Sequence, residues 1–440
     1  MAGWLYNWRR LTGGLLGAKH LQHSLPAMID QAAVSLASFA TVAILGRYGG
    51  ESVLGRYYLP LTILLWLTNI QGELVTSAYA VYRQRMHGAE AEQYSGSVVV
   101  IEMIVASAAT GIFLLLAIAA AHQWLFSELL PCFLVLCVAA PFWQFRAFCR
   151  YFSFANLDFV SPLVMDLVTT VAQMVLLASL AAAGMLSAAH AHAVLGVASA
   201  LGVMTLLVTN RPKFSVRWVR VWQDWKRNWS FTRWALASQL IGCASPYIVP
   251  WLAATRLGND AAGLYAAGVN LCGIASLFIL GIAHALTPHA ARAYASGGPS
   301  RLVRVLWQSA LAFAAGVGTF VLTVAFGGDY LMQLLYGARF SGMHLVITFL
   351  ALATFSNSMA IVAGNGLWAM DRPRTNLWAD LVTLAVTLLL AWSWCHLWGL
   401  AGIAGAVLAG NTAGAATRMW LLWQAVREEW RKAVPVGESL

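Results

Sequence analysis

With 440 residues, 60% of them hydrophobic and only 10% charged, and a mean hydropathy of +0.70, the chain is not a water-soluble globular domain, which carries roughly a quarter charged residues. The net charge of +10 raises nucleic acid as a partner, and its distribution, given below, excludes it.

A helix crossing a bilayer needs about 20 apolar residues. Twelve such segments follow one another: 24–46, 57–82, 97–121, 129–149, 160–184, 188–209, 235–255, 263–286, 303–326, 343–369, 376–398 and 399–423. Trp4, Trp8, Arg9 and Arg10 precede the first and read as a short interfacial anchor. The first segment is too long for a cleaved signal peptide and contains Pro26 and Asp30. Between segments one and two lies L-G-R-Y-G-G-E-S-V-L-G-R-Y-Y, Leu45 to Tyr58, whose glycines suit a tight turn. No Walker lysine follows it. In the second segment Thr62, Trp66, Asn69, Glu73 and Ser77 form a polar stripe at spacings of 3 and 4, expected to face a wet cavity or another polar helix.

The longest loop, Val216 to Arg233, places Trp218, Trp222, Trp225 and Trp229 at helical spacing, with Arg217, Arg220, Asp224 and Arg227 elsewhere on the wheel. It reads as an amphipathic interfacial helix, tryptophans toward the lipid and cations at the phosphates. With the N-terminus inside and an even number of spans, 23 of the 27 Lys and Arg fall on cytoplasmic segments; only Arg47, Arg56, Arg256 and Arg339 are outside. This is the positive-inside bias, so the positive charge serves topology and anionic headgroups. Both termini are expected in the cytoplasm.

The chain is a duplication. Arg47-Tyr48-Gly49-Gly50-Glu51, then Gly55 and Tyr57, is echoed by Arg256-Leu257-Gly258-Asn259-Asp260, then Gly263 and Tyr265. Asp166-Leu167-Val168-Thr169 recurs as Asp380-Leu381-Val382-Thr383. The expected organisation is therefore all-α: an N-terminal six-helix bundle over 1–209, the basic linker helix over 210–234, a C-terminal six-helix bundle over 235–423, and a cytoplasmic tail over 424–440. Transporters are commonly built from such repeats.

Asp30-Gln31, Leu45-Gly46-Arg47, the Gly-Gly-Glu triplet and Gly55-Arg56-Tyr57, with Ala254-Thr255-Arg256-Leu257-Gly258 and the closing Trp398-Gly399-Leu400-Ala401-Gly402-Ile403-Ala404-Gly405, resemble polysaccharide flippases. These form the polysaccharide-transport branch, O-antigen flippases included, of the multidrug/oligosaccharidyl-lipid/polysaccharide (MOP) exporter superfamily. Where that family often has proline or valine-rich sequence, this chain reads Asn69-Ile70-Gln71-Gly72-Glu73. The resemblance implies a MATE/MOP-like two-bundle architecture in the bacterial inner membrane. It implies alternating access that moves a lipid-linked oligosaccharide or polysaccharide precursor, ion-coupled by proton or sodium, alongside glycan-assembly proteins. A multidrug or metabolite cation antiporter of the same superfamily is the first alternative, and a membrane-embedded polysaccharide polymerase or ligase the second.

Ionisable groups inside a span cost roughly 2.5–3.5 kcal/mol at the bilayer centre, so each needs a reason. Asp30 and Glu73 either line a central cavity and exchange a proton or sodium ion, or are hydrogen-bonded glue between helices. Glu102 and Asn69 are further pathway candidates, and Gln239 aligns with Asp30 in the repeat. Arg47, Arg56 and Arg256 either snorkel to outer headgroups or meet a phosphorylated cargo. Asp166 and Asp380 read as shared architecture, capping or bonding locally. His190 and His192 have neither a third histidine nor a carboxylate nearby, which argues against a metal site. No catalytic constellation and no cofactor motif stands out, so the chain is not read as an enzyme.

Overall fold

The computed structural model describes residues 18–210, 214–372 and 374–433. The Trp4–Arg10 anchor, Arg211, Lys213 and the end of the tail lie outside the described residues. The described chain is helical nearly throughout, as a membrane requires when no water is present to satisfy backbone groups. In order the helices are α1 Ala18–Ile44, α2 Gly50–Gln71, α3 Ala78–Arg83, α4 Gly88–Ala121, α5 Leu130–Ala155, α6 Val160–Ala182, α7 Ala188–Thr209, α8 Trp218–Gly242, α9 Ala244–Leu257, α10 Asn259–Tyr336, α11 His344–Ala369 and α12 Arg374–Ala433. Short π-helical turns, Leu45–Gly49 and Gly72–Ser77, join α1 to α2 and α2 to α3.

Nine runs among the described residues are long and apolar enough to cross a membrane, and several are of double length. A straight 78-residue helix such as α10 would reach about 117 Å at 1.5 Å per residue, far beyond a hydrocarbon core of about 30 Å. It breaks at Gly297 and Gly298 (φ 60°, ψ −159°), just before Pro299. Helix α12 breaks in the same way at Gly399, with φ 56°. These breaks fall between the expected spans 8 and 9 and spans 11 and 12.

The chain divides into two compact units. Unit 1 runs to Thr41 and resumes over Leu64–Leu236; unit 2 is Val42–Ile63 with Ala237 onward. The hairpin that joins the first two expected spans is thus part of unit 2. Its turn uses Gly50 at φ 81°, ψ −178°, and Gly258, in the echoing turn of the second repeat, adopts φ 92°, ψ 170°. An L side chain rarely enters that region, which explains glycine at both positions. Inside unit 2 the paired glycines five residues further on meet: a Cβ on Gly55 would sit 2.0 Å from the Asn259 carbonyl oxygen, and one on Gly263 would sit 1.9 Å from that of Glu51. The turn motif is architectural on this evidence, as its lack of a phosphate-binding lysine suggests.

Helix α8 departs from expectation in two ways. It continues from the linker into the expected seventh span without interruption until Gly242. Its buried face is polar: Asp224, Asn228 and Thr232, together with Val221. Tyr94 Oη donates to Asn228 Oδ1 at 2.9 Å. Arg220 pairs with Glu90 at 2.9 Å and donates to Gln93 at 3.0 Å, and Arg227 lies 4.0 Å from the centre of the Tyr82 ring. These cations face α4 and α3, not lipid phosphates. Trp218, Trp222 and Trp229 are exposed, in keeping with a lipid-facing role, while Trp225 packs on the unit 1 core.

Candidate functional site

In unit 1 the apolar interior holds a closed ionic network. Asp30 of α1 is fully buried. Its Oδ2 accepts from Arg150 Nη2 at 2.6 Å and from Arg150 Nε at 2.8 Å. The same Nη2 donates to Gln31 Oε1 at 3.0 Å. Asp166 of α6 is also buried, its Oδ2 3.3 Å from Arg150 Nε and its Oδ1 accepting from Arg146 Nη1 at 3.2 Å. Arg146 and Arg150 stand one turn apart on α5, so both point the same way. Arg146 stacks on Trp143, 4.8 Å from its ring centre. Two acids and two arginines balance to zero, which removes the large penalty of an isolated buried charge.

Neither Arg146 nor Arg150 was singled out from the sequence as part of such a network. The available signal was their i, i+4 spacing in an apolar segment that already faced two buried aspartates. Asp166 does not cap or bond locally as expected; its partners come from a different helix.

The other unit 1 carboxylates differ. Glu102 is fully buried and accepts from Gln71 Nε2 at 2.8 Å, while the same nitrogen reaches the Gln144 carbonyl at 2.8 Å. Glu102 is thus tied into helix packing among α2, α4 and α5. Glu73 lies in the Gly72–Ser77 π turn, half-buried, with Ser77 Oγ donating to its Oε2 at 3.3 Å. No arginine pairs with it among the described residues. Such π bulges occur frequently at functional sites. Asn69 is half-buried nearby in sequence. The expected polar stripe is split, because Thr62 lies in unit 2, where Trp251 Nε1 donates to its hydroxyl at 2.9 Å.

The outward cations are engaged by protein. Arg47 Nη1 donates to the Leu334 carbonyl at 2.6 Å, in the last turn of α10, where helix carbonyls lack partners. Arg56 Nη2 reaches Ser52 Oγ at 2.9 Å. The Arg256 guanidinium covers the Trp392 ring at 3.3 Å from its centre. Gln239, the repeat counterpart of Asp30, donates to Cys243 Sγ at 3.2 Å, one turn along. His190 is exposed and bonds the Met185 carbonyl at 2.6 Å. No cluster able to hold a metal is found among the described residues.

Unit 2 contains the polar cavities. Asp380 and Arg418 are in direct ionic contact, yet their side chains retain 19% and 16% exposure. They border a cavity of about 530 Å³ with Tyr265, Thr354, Asn357 and Asn411, and a second of about 470 Å³ with Thr287, Asn365, Asn376 and Trp368. Thr287 donates to Asn365 Oδ1 at 2.6 Å, and Asn365 and Asn411 use their amide nitrogens on carbonyls one turn or one helix away. The Asn376 Oδ1 is buried without a partner among the described residues. None of these asparagines was singled out from sequence. Their helical register was the available signal: Asn357 and Asn365 on α11, Asn376 and Asp380, then Asn411 and Arg418 on α12.

No protein-family model matches the chain, and no curated protein matches it. Solved structures do. An inward-facing multidrug resistance MATE family transporter of the MOP superfamily aligns with a TM-score of 0.76 at 14% identity, covering 91% of this chain and 96% of the other. A mutant of the Vibrio cholerae MATE transporter VcmN gives 0.63 at 20% identity, covering 94% and 96%. A MOP superfamily transporter from Pyrococcus furiosus, described as having a binding pocket of reversed polarity that suggests a different function, gives 0.63 at 16% identity, covering 92% and 95%. The chain shares the all-helical fold of these MATE-type structures.

Proposed function

We propose that this chain is a multi-pass inner-membrane transporter that moves a lipid-linked oligosaccharide or polysaccharide precursor by alternating access. The observation that supports this cargo most is the chemistry of the unit 2 cavities. They offer four asparagine side chains, hydroxyls, an exposed indole (Trp368) and one charge-balanced Arg418–Asp380 pair. Amides and hydroxyls match a polyhydroxylated head, an aromatic face stacks on a sugar ring, and an arginine meets phosphate. A cavity built for an organic cation would present an unbalanced carboxylate. A glycan head needs such a route because hydrocarbon offers it no hydrogen bonds. In this reading the two repeats form two six-helix halves with both termini in the cytoplasm, and Glu73 carries the coupling proton or sodium ion.

One observation favours the second reading, a cation antiporter: Glu73 sits in a π turn with no cationic partner among the described residues. The two readings separate in a deletion strain. Loss of outer-leaflet glycolipid with unchanged efflux of cationic dyes supports the glycan cargo. Lost dye efflux with normal glycan assembly overturns it.

A further inference from the structure

One cavity of unit 1 is chemically two-ended. It occupies about 670 Å³, within the range of small-molecule sites. One end is polar, with Arg83, His87 and Glu92 at the rim. The other is walled by Val99, Met103, Phe145 and Phe148. Met103 follows Glu92 by eleven residues on α4, about 16 Å along the axis. That is the depth of one leaflet, half of a hydrocarbon core of about 30 Å. Phe148 is buried and Met103 exposed, so the apolar end is open on the side of the bundle, where lipid chains lie.

The rim charges are not paired with opposite charges within the protein. Arg83 hydrogen-bonds the Tyr79 side chain, its Nη1 makes one long bond, 3.3 Å, to the Met86 carbonyl, and its Nε is buried without a partner. No carboxylate pairs with Arg83, and no cation with Glu92, among the described residues. Asp158 also reaches the cavity, but its carboxylate is committed: Oδ1 accepts from the Val160 and Ser161 amides and Oδ2 from Asn210 at 2.8 Å. His87 is the N-cap of the 34-residue α4 and makes no capping bond with its side chain. The first-turn amides there therefore add to the pull on an anion.

From this geometry we infer a binding site for one phospholipid of the inner leaflet, a zwitterionic one carrying a primary ammonium, of which phosphatidylethanolamine is the probe. The phosphate lies between Arg83 and the start of α4. The ammonium donates to Glu92, and one acyl chain runs along Val99, Met103 and Phe148. The balance of one free arginine and one free glutamate selects against a purely anionic headgroup. A quaternary ammonium lacks the N–H that Glu92 requires.

The full chain, purified in detergent and offered equal amounts of phosphatidylethanolamine, phosphatidylcholine and phosphatidylglycerol, is read by native mass spectrometry. Phosphatidylethanolamine is retained about tenfold over the others, the scale of one charge-assisted hydrogen bond. Arg83→Gln and Glu92→Gln each bring that preference to parity, and Met103→Trp lowers retention by filling the chain's path. Glu92 is exposed, so its variant leaves packing intact even if Arg83→Gln folds poorly. Equal retention of the three lipids by the unmodified protein, phosphatidylglycerol ahead of phosphatidylethanolamine, or a preference that survives Glu92→Gln overturns the assignment.

Discussion

The two Asp-Leu-Val-Thr segments share a sequence and sit in different electrostatic settings. Asp166 in unit 1 is 1% exposed, pairs with Arg146 and shares Arg150 with Asp30. Asp380 in unit 2 is 19% exposed and has a single arginine, Arg418, at the edge of two cavities. The arginines also come from different places: from α5, before the aspartate's helix, in unit 1, and from the second run of α12, after it, in unit 2. What both halves keep is local: the threonine one turn on packs against a glycine of the following span, Thr169 on Gly202 and Thr383 on Gly414. The two segments share the acid and its helix contact and differ in the charge partner. A sealed four-member network is suited to holding helices together; an open pair is suited to meeting cargo.

The largest expected effect tests the sealed side. Arg150→Leu strands the buried Asp30, leaves Asp166 with Arg146 alone, and should lower stability by roughly 3–5 kcal/mol, seen as a collapse of the thermal unfolding transition in detergent. A small loss there would mean that unit 1 is as open as unit 2. Next is the helix contact within unit 2. Gly55→Val or Gly263→Val places a side chain against a backbone carbonyl and should cost about 1–3 kcal/mol by overpacking, read from the same melt. Arg418→Gln should lower stability by only about 1 kcal/mol or less, as for a partly solvated pair, while reducing appearance of outer-leaflet glycolipid at least tenfold. Equal damage to stability in Arg150→Leu and Arg418→Gln would erase the contrast. The smallest stability change, within about 0.5 kcal/mol, is expected for Glu73→Gln, with glycolipid export impaired at normal expression. Unchanged export would reduce Glu73 to a helix contact.

The hydrophobic segments and both turn motifs were legible in the sequence because they depend on local properties: segment length, and glycine at Gly50 and Gly258 where φ is positive. The network around Arg150 was not, because its partner Asp30 lies 120 positions away and no periodicity reports a contact across helices. Helix α8 was misread for a related reason. Its tryptophans fixed attention on the apolar stripe, but in a membrane that stripe can be the outer surface. The buried face is then the polar one, Asp224, Asn228 and Thr232, spaced by four. The asparagine-lined cavities escaped notice because single amides spread over α11 and α12 converge only when the helices pack.

The reciprocal contact of Gly55 and Gly263 has the form of an isologous interface. Glu51 meets Gly263 as Asn259 meets Gly55, residue i against j and j against i. Closed two-fold dimers make contacts of that kind. Two separate copies of a half-length chain would find this contact only as often as they collide; joined in one polypeptide, they meet at an effective concentration set by the connecting segment. Within one polypeptide each repeat can differ alone, so Asp30 stands where the other repeat has Gln239, and one aspartate can be sealed while its counterpart stays open, without a matching change being imposed on the other side.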